Sequence, residues 1–168
     1  MDEVIADALG ELLARYNRQK KTNLTKADLH GKWLWQVLPE EDHKLIETYL
    51  QSDDFFEELP IIAGSQDVLR RISQRYEVFI ATAAMAFPNS FGAKFRWLRR
   101  NFGFLSPHNF VFCGDKSILH ADFLIDDMPY NLAAFRSEGI LFSSPHNAGI
   151  TDYRRVDNWQ DVAEMFLT

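Results

Sequence analysis

The chain has 168 residues, 46% hydrophobic and 25% charged, with 8 Gly, 6 Pro, one Cys and a formal net charge of −6. That length supports one good hydrophobic core and excludes two full domains, and the acidic balance excludes a general grip on nucleic-acid polymers, which needs a basic footprint. The lone Cys113 excludes an internal disulfide and fits a reducing compartment.

No apolar run approaches the ~18 residues of a membrane span. Met1-Asp2-Glu3-Val4 lacks the basic region of a secretory signal. A cytoplasmic monomer, or a small oligomer such as a homodimer, is expected.

Val4, Ile5, Ala8, Leu9, Leu12, Leu13 and Tyr16 recur at helical spacing, which predicts a helix almost from the first residue. Residues 17–31 are polar and loop-like, with Thr25 to Asp28 as a helix cap. Trp33 to Trp35 follow, and Pro39-Glu40-Glu41 opens a helix through Leu45, Ile46, Tyr49 and Leu50. Phe55 and Phe56 make a short apolar patch. Past Gly64, Ser65 is expected to cap a helix carrying Val68, Leu69 and Ile72.

The texture then changes. Residues 76–81 (Tyr-Glu-Val-Phe-Ile-Ala) predict a buried strand, and a helix with Phe91, Phe95 and Leu98 runs to Gly103. Strands are predicted over 109–113, 122–125 and 140–142, with a helix at Leu132 to Phe135 closed by Gly139. Asn158 starts a last helix bearing Trp159, Val162 and Phe166. Short apolar strands alternating with helices predict an α/β fold, a doubly wound parallel sheet. Residues 17–63 hold no predicted strand and are expected to form a small helical cap on a core of 1–16 and 64–168. Ligands on such sheets bind at the carboxyl ends of the strands.

Three strand ends carry chemistry. Thr82 follows the first strand, Asp115 and Lys116 the second, Asp126 and Asp127 the third. A hydroxyl and backbone amides can donate to phosphate oxygens, an ammonium can neutralise phosphate charge, and a carboxylate pair can hold Mg²⁺, which takes few protein carboxylates and keeps its waters. Each piece has a bland counterpart: a turn threonine, a solvated Asp-Lys pair, a strand-end acid. Two adjacent carboxylates behind the buried Phe123-Leu124-Ile125 repel each other and are harder to read as mere surface.

The segments Asp2-Glu3-Val4-Ile5-Ala6-Asp7, Ala81-Thr82-Ala83, Gly114-Asp115-Lys116-Ser117 and Leu124-Ile125-Asp126-Asp127 resemble the sequential motifs of the haloacid dehalogenase superfamily. Phe55-Phe56, Leu59-Pro60, Gly64 and Lys94-Phe95-Arg96-Trp97 narrow the resemblance to the 5′(3′)-deoxyribonucleotidases, across essentially the whole chain. The resemblance implies a Mg²⁺-dependent phosphatase that works through an aspartyl-phosphate on a small nucleotide substrate. It implies Asp2 as the acid/base, with its backbone carbonyl on the metal. Thr82, Lys94 and Lys116 would bind the phosphate. Asp127 would ligate the metal, with Asp126 beside it. Trp33, Trp35 and Phe56 lie where the family stacks its base, although aromatics on a helical insert more often form its own small core.

The resemblance also implies an attacking aspartate two residues before Asp2, on a central strand, and neither is in the sequence. A start placed too late and a molecule that has lost its nucleophile are both readings, the first favoured because every other motif position is intact. The sheet is accordingly expected to show a missing, shifted or externally supplied central strand. A non-catalytic nucleotide- or phosphate-binding protein is the second reading. A receiver-like signalling domain is the third, ranked last because it lacks the long aromatic insert. The five histidines are taken as surface or loop residues, Cys113 as a small buried apolar group, and Arg154-Arg155 as a pair within reach of phosphate only if the fold brings it there.

Overall fold

The computed structural model describes residues 1–168. Helix α1 is Ala8–Lys20, α2 Leu34–Val37, α3 His43–Leu50 and α4 Ser65–Ile72. Then come β1 (Ile80–Thr82), α5 (Ser90–Asn101), β2 (Phe110–Phe112), β3 (Phe123–Asp126), α6 (Pro129–Ala134), β4 (Glu138–Phe142), β5 (Arg154–Val156) and α7 (Trp159–Leu167). All strand pairing is parallel, as the alternation of strand and helix requires. The fold is α/β, with parallel sheets and helices between the strands, as the sequence predicts.

The strands fall into two sheets. In one, β1 pairs with β2, Ile80 opposite Phe110; in the other the order is β3-β4-β5. β1 and β3 do not pair with each other. The first residues are not helical, against the expectation from Val4 and Ile5: the amides of Val4, Ile5 and Ala6 all donate to the Met1 carbonyl in a tight turn with Glu3 at φ 57. The helix waits for Asp7, whose carboxylate accepts from the Gly10 amide at 2.7 Å. The turn is anchored on both sides, since the Met1 nitrogen donates to the Ala81 carbonyl at 3.1 Å and the buried Trp159 indole donates to the Val4 carbonyl at 2.7 Å.

Other boundaries shift for local reasons. α1 continues to Lys20, through residues expected to be loop, and Lys21 closes it in the left-handed region. β1 begins four residues later than its apolar run, because the Asn109 side chain caps the Val78 carbonyl and the ladder starts only at Ile80 and Phe110. Ser65 opens α4 rather than capping it; Gly64, at φ 83, holds the cap position. Gly139 lies inside β4, where an added Cβ would stand 3.1 Å from Leu132 Cβ, so it lets α6 pack close to the sheet. β5 has no counterpart among the predicted strands, because an edge strand with two arginines and only Val156 buried shows no apolar run.

Two apolar clusters result. The larger joins Ile5, Leu69, Ile80, Trp97, Phe102, Ile140, Val156 and Val162 under the sheets, and it includes Phe55 and Phe56. The smaller holds Leu13, Tyr16, Leu29, Leu34, Leu38 and Ile46, contributed by α1, α2, α3 and the turn at Lys26–Leu29. The Thr25–Asp28 capping box closes that turn, with the Asp28 carboxylate accepting from the Thr25 amide and hydroxyl, each at 2.7 Å. No helix is long and apolar enough to cross a membrane.

Candidate active site

Thr82 ends β1, Asp126 ends β3, and the Met1–Ala6 turn sits beside both. Lys94 comes from the buried face of α5, beside Ala93, Trp97 and Leu98, which carries its ammonium into the core rather than into solvent. Only 2% exposed, its Nζ donates to Asp2 Oδ2 at 2.5 Å, to the Ala83 carbonyl at 2.8 Å and to Thr82 Oγ1 at 3.3 Å. The Phe56 ring covers it at 4.6 Å. Phe56 itself is buried among Phe55 and Phe87.

Lys116 reaches the site from a one-turn helix that Asp115 caps, its carboxylate accepting from the Ser117 amide at 2.9 Å. It is 8% exposed and pairs with Asp126. Asp126 also accepts from the Met128 amide at 2.9 Å and the Asn131 side chain at 3.0 Å. Burial alone would raise the Asp126 carboxyl; the Lys116 charge and the hydrogen bonds from Asn131 and Lys116 hold it below the usual range.

Asp127 is different. Burial, then the charges of Asp126 and Glu3, push its carboxyl up to about 8. Glu3, also buried, is raised to about 7. Asp2 Oδ1 is buried with no hydrogen-bond partner. One unpaired buried carboxylate oxygen and a neighbouring carboxyl pushed upward by burial and like charge mark a site short of positive charge, and a divalent cation fits that deficit. No three His, Cys, Asp or Glu side chains enclose an ion by themselves.

His146, expected as a surface or loop residue, lies on the short turn Pro145–Asn147 with its side chain nearly buried. Its Nε2 lies 3.1 Å from the Asp127 carbonyl and 3.4 Å from Asp127 Oδ2, and its Nδ1 lies 3.1 Å from Ser144 Oγ. Burial lowers its pKa, and the hydrogen bond it makes to Asp127 is to the backbone carbonyl. Asn147 adds a second donor to the Asp127 carbonyl at 2.8 Å. The signal was available: Pro145-His146-Asn147 lies just past the carboxyl end of β4, where ligands gather on such sheets.

Among the aromatics, Trp33 is 43% exposed and stacks on His146. Trp35 is 39% exposed and meets His43 edge-on. Arg155 does not reach the site; its guanidinium is spent on Ser143, Asn147 and the Ile150 carbonyl. A groove of about 440 Å³ lined by Lys26, His30, Ser143 and Arg155 among others contains none of Asp2, Thr82, Lys94, Lys116, Asp126 and Asp127. The chemistry is assigned to the strand ends, because buried charges of both signs converge there.

Comparison with known proteins gives concordant results. The profile of the family described as "5' nucleotidase, deoxy (Pyrimidine), cytosolic type C protein" matches residues 1–168. A Staphylococcus aureus protein named "Putative 5'(3')-deoxyribonucleotidase" is 42% identical over 167 residues, covering 99% of this chain and 92% of its own. A Staphylococcus epidermidis protein of the same name is 40% identical over 166 residues, with the same coverage. The "5'(3')-deoxyribonucleotidase" of Bacillus subtilis is 35% identical over 168 residues, covering 99% of this chain and 95% of its own.

Proposed function

Because this chain belongs to the family of cytosolic type C deoxy-5′-nucleotidases, we propose that it hydrolyses deoxyribonucleoside 5′(3′)-monophosphates with the help of Mg²⁺. The observation that supports this reading is a pair of buried charged clusters, Asp2–Lys94–Thr82 at the end of β1 and Lys116–Asp126 beside Asp127 at the end of β3. The groups within the chain bind the phosphate, neutralise its charge and move the proton.

Thr82 and the amides just after it donate to phosphate oxygens, and Lys94 and Lys116 set positive charge against them. Phosphoryl transfer needs positioning and charge stabilisation above all, so two preorganised buried ammonium groups are the main contribution of this chain. Asp2 protonates the leaving nucleoside oxygen and later takes a proton from water. Its partner Lys94 keeps that carboxylate aimed. Asp127 and the Asp2 carbonyl would hold the metal, with Asp126 next to them and tied to Lys116. Bound there, Mg²⁺ supplies charge neutralisation on the transferring phosphoryl group.

Residues 17–63 serve as the cap, and of its aromatics Trp33 is favoured for base contact: it is exposed and stands next to His146 and hence to Asp127. A single cysteine supports a reducing, cytoplasmic setting. A non-catalytic binder is not favoured, since relatives matched over nearly their whole length carry the nucleotidase name.

The test is release of inorganic phosphate from deoxyribonucleoside monophosphates by the protein, in Mg²⁺ and in EDTA. Turnover in Mg²⁺ that stops in EDTA is expected; turnover indifferent to EDTA overturns the metal assignment, and none at all overturns the activity.

A further inference from the structure

His146 has every polar atom and one ring face committed. The hydrogen-bond partner of Nε2 is the Asp127 backbone carbonyl, an acceptor only, so that nitrogen carries the proton, with Asp127 Oδ2 3.4 Å away; Nδ1 is then free to accept from the Ser144 hydroxyl. The ring lies parallel to Trp33, with centroids 4.1 Å apart and planes 11° apart. The turn beneath it is braced. Asn147 donates to the Asp127 and Phe142 carbonyls, and Arg155 grips Asn147 through both side chain and carbonyl. The segment before Trp33 is tied to the same turn, since the Gly31 amide donates to the Pro145 carbonyl at 2.8 Å.

We propose that His146 is a positioning residue: its Nε2–H holds the Asp127 main-chain carbonyl and so fixes the backbone from which the Asp127 carboxyl projects, and its stacking under Trp33 couples that carboxyl to the placement of the cap. The proposal rests on the reading of Asp127 as a metal-holding residue. Its physical basis is that a carboxylate among other negative charges has no reason of its own to keep one orientation. A donor fixed on a braced turn supplies one. A cap that shifts Trp33 moves the ring, and the ring moves the carboxylate. Substrate seated under the cap and cation seated on Asp127 therefore favour each other, by the reciprocity that any such coupling obeys.

The test is Mn²⁺ affinity, read by electron paramagnetic resonance on the intact chain, with urea midpoints confirming that each variant folds. Loss of a hydrogen-bond partner behind a metal-holding group weakens metal affinity by about 10–100-fold, so His146→Phe, which keeps a ring under Trp33 but has no donor, should fall in that range. His146→Gln, which restores a donor, should recover most of the affinity. Trp33→Ala, which touches neither Asp127 nor the ion, should still weaken Mn²⁺ binding by about threefold or more. Wild-type affinity in both His146→Phe and Trp33→Ala overturns the proposal. Normal affinity in Trp33→Ala alone overturns the coupling to the cap. A wild-type chain that binds no Mn²⁺ overturns the metal reading itself and the proposal with it, an outcome distinct from the other two.

Discussion

Lys94 and Asp2, 92 residues apart in sequence, meet at 2.5 Å, and the same ammonium also touches the Thr82 hydroxyl. One cation thereby links the acid/base candidate to the phosphate-binding candidate before any ligand arrives. Replacing Lys94 with Ala removes three hydrogen bonds at once and leaves Asp2, still one-third exposed, to find water. We expect a loss of about 1–3 kcal/mol in stability, measured by urea denaturation. An unchanged urea midpoint would show that the pair contributes nothing to folding.

Lys116 reads in the sequence as a loop residue whose removal would cost activity and little else. The structure argues otherwise, because its ammonium is buried against Asp126. Breaking a buried pair from one side typically costs about 3–5 kcal/mol. Lys116→Ala should therefore lose stability of that order, and also kcat by about 100-fold or more as a charge stabiliser of the transferring group. Lys116→Ala with Asp126→Asn should recover part of the stability and none of the turnover. Recovery of both in the double variant would remove Lys116 from the chemistry.

Asp127 and Glu3 make stability depend on pH. A carboxyl whose folded pKa is raised binds more protons folded than unfolded between its ordinary and its raised value, so stability falls as pH climbs through that window. For Asp127 the window runs from 3.8 to about 8 and for Glu3 from 4.5 to about 7. In EDTA, Tm should fall between about pH 5 and about pH 8. Mg²⁺ should offset the fall by stabilising the ionised acids, and Asp127→Asn should flatten it. A Tm that rises across this range would contradict the burial of these groups.

Trp33 and Trp35 are expected to differ. Trp33→Ala should change relative kcat/KM among deoxynucleotides more than turnover of a simple aryl phosphate, which has no base to stack. Trp35→Ala, whose ring leans on His43 within the cap, should affect both substrates alike. Equal losses on both substrates in Trp33→Ala would reduce that residue to a cap-packing role.

Much of the fold and site is legible in the residues. The alternation of apolar runs with helical periodicity implies the parallel sheet, and the strand-end positions of Thr82, Lys116 and Asp126-Asp127 come from where those runs stop. What is not legible depends on partners distant in sequence. The apolar spacing of Val4 and Ile5 favours a helix locally, but the Ala81 carbonyl and the Trp159 indole hold that segment in a turn. Phe56 reads as an aromatic for base contact and is instead buried in the larger cluster, with its ring against Lys94, apart from the smaller cluster of Leu13, Tyr16, Leu29, Leu34, Leu38 and Ile46. His146 has no metal-ligand spacing to any other histidine, and its role shows only once β3 and β4 lie side by side.

The central claim is that the ends of β1 and β3 hold a deoxynucleotide phosphate beside a divalent cation. Isothermal titration of the chain with dTMP, in Mg²⁺ and in EDTA, with thymidine as the phosphate-free control, measures this most directly. One saturable site for dTMP in Mg²⁺ is predicted. Losing a hydrogen bond to a charged group costs about 1.5–3 kcal/mol, so Thr82→Val should weaken binding by about tenfold or more, and EDTA should weaken it as well. Thymidine binding as tightly as dTMP, or dTMP binding untouched by both EDTA and Thr82→Val, would contradict the account.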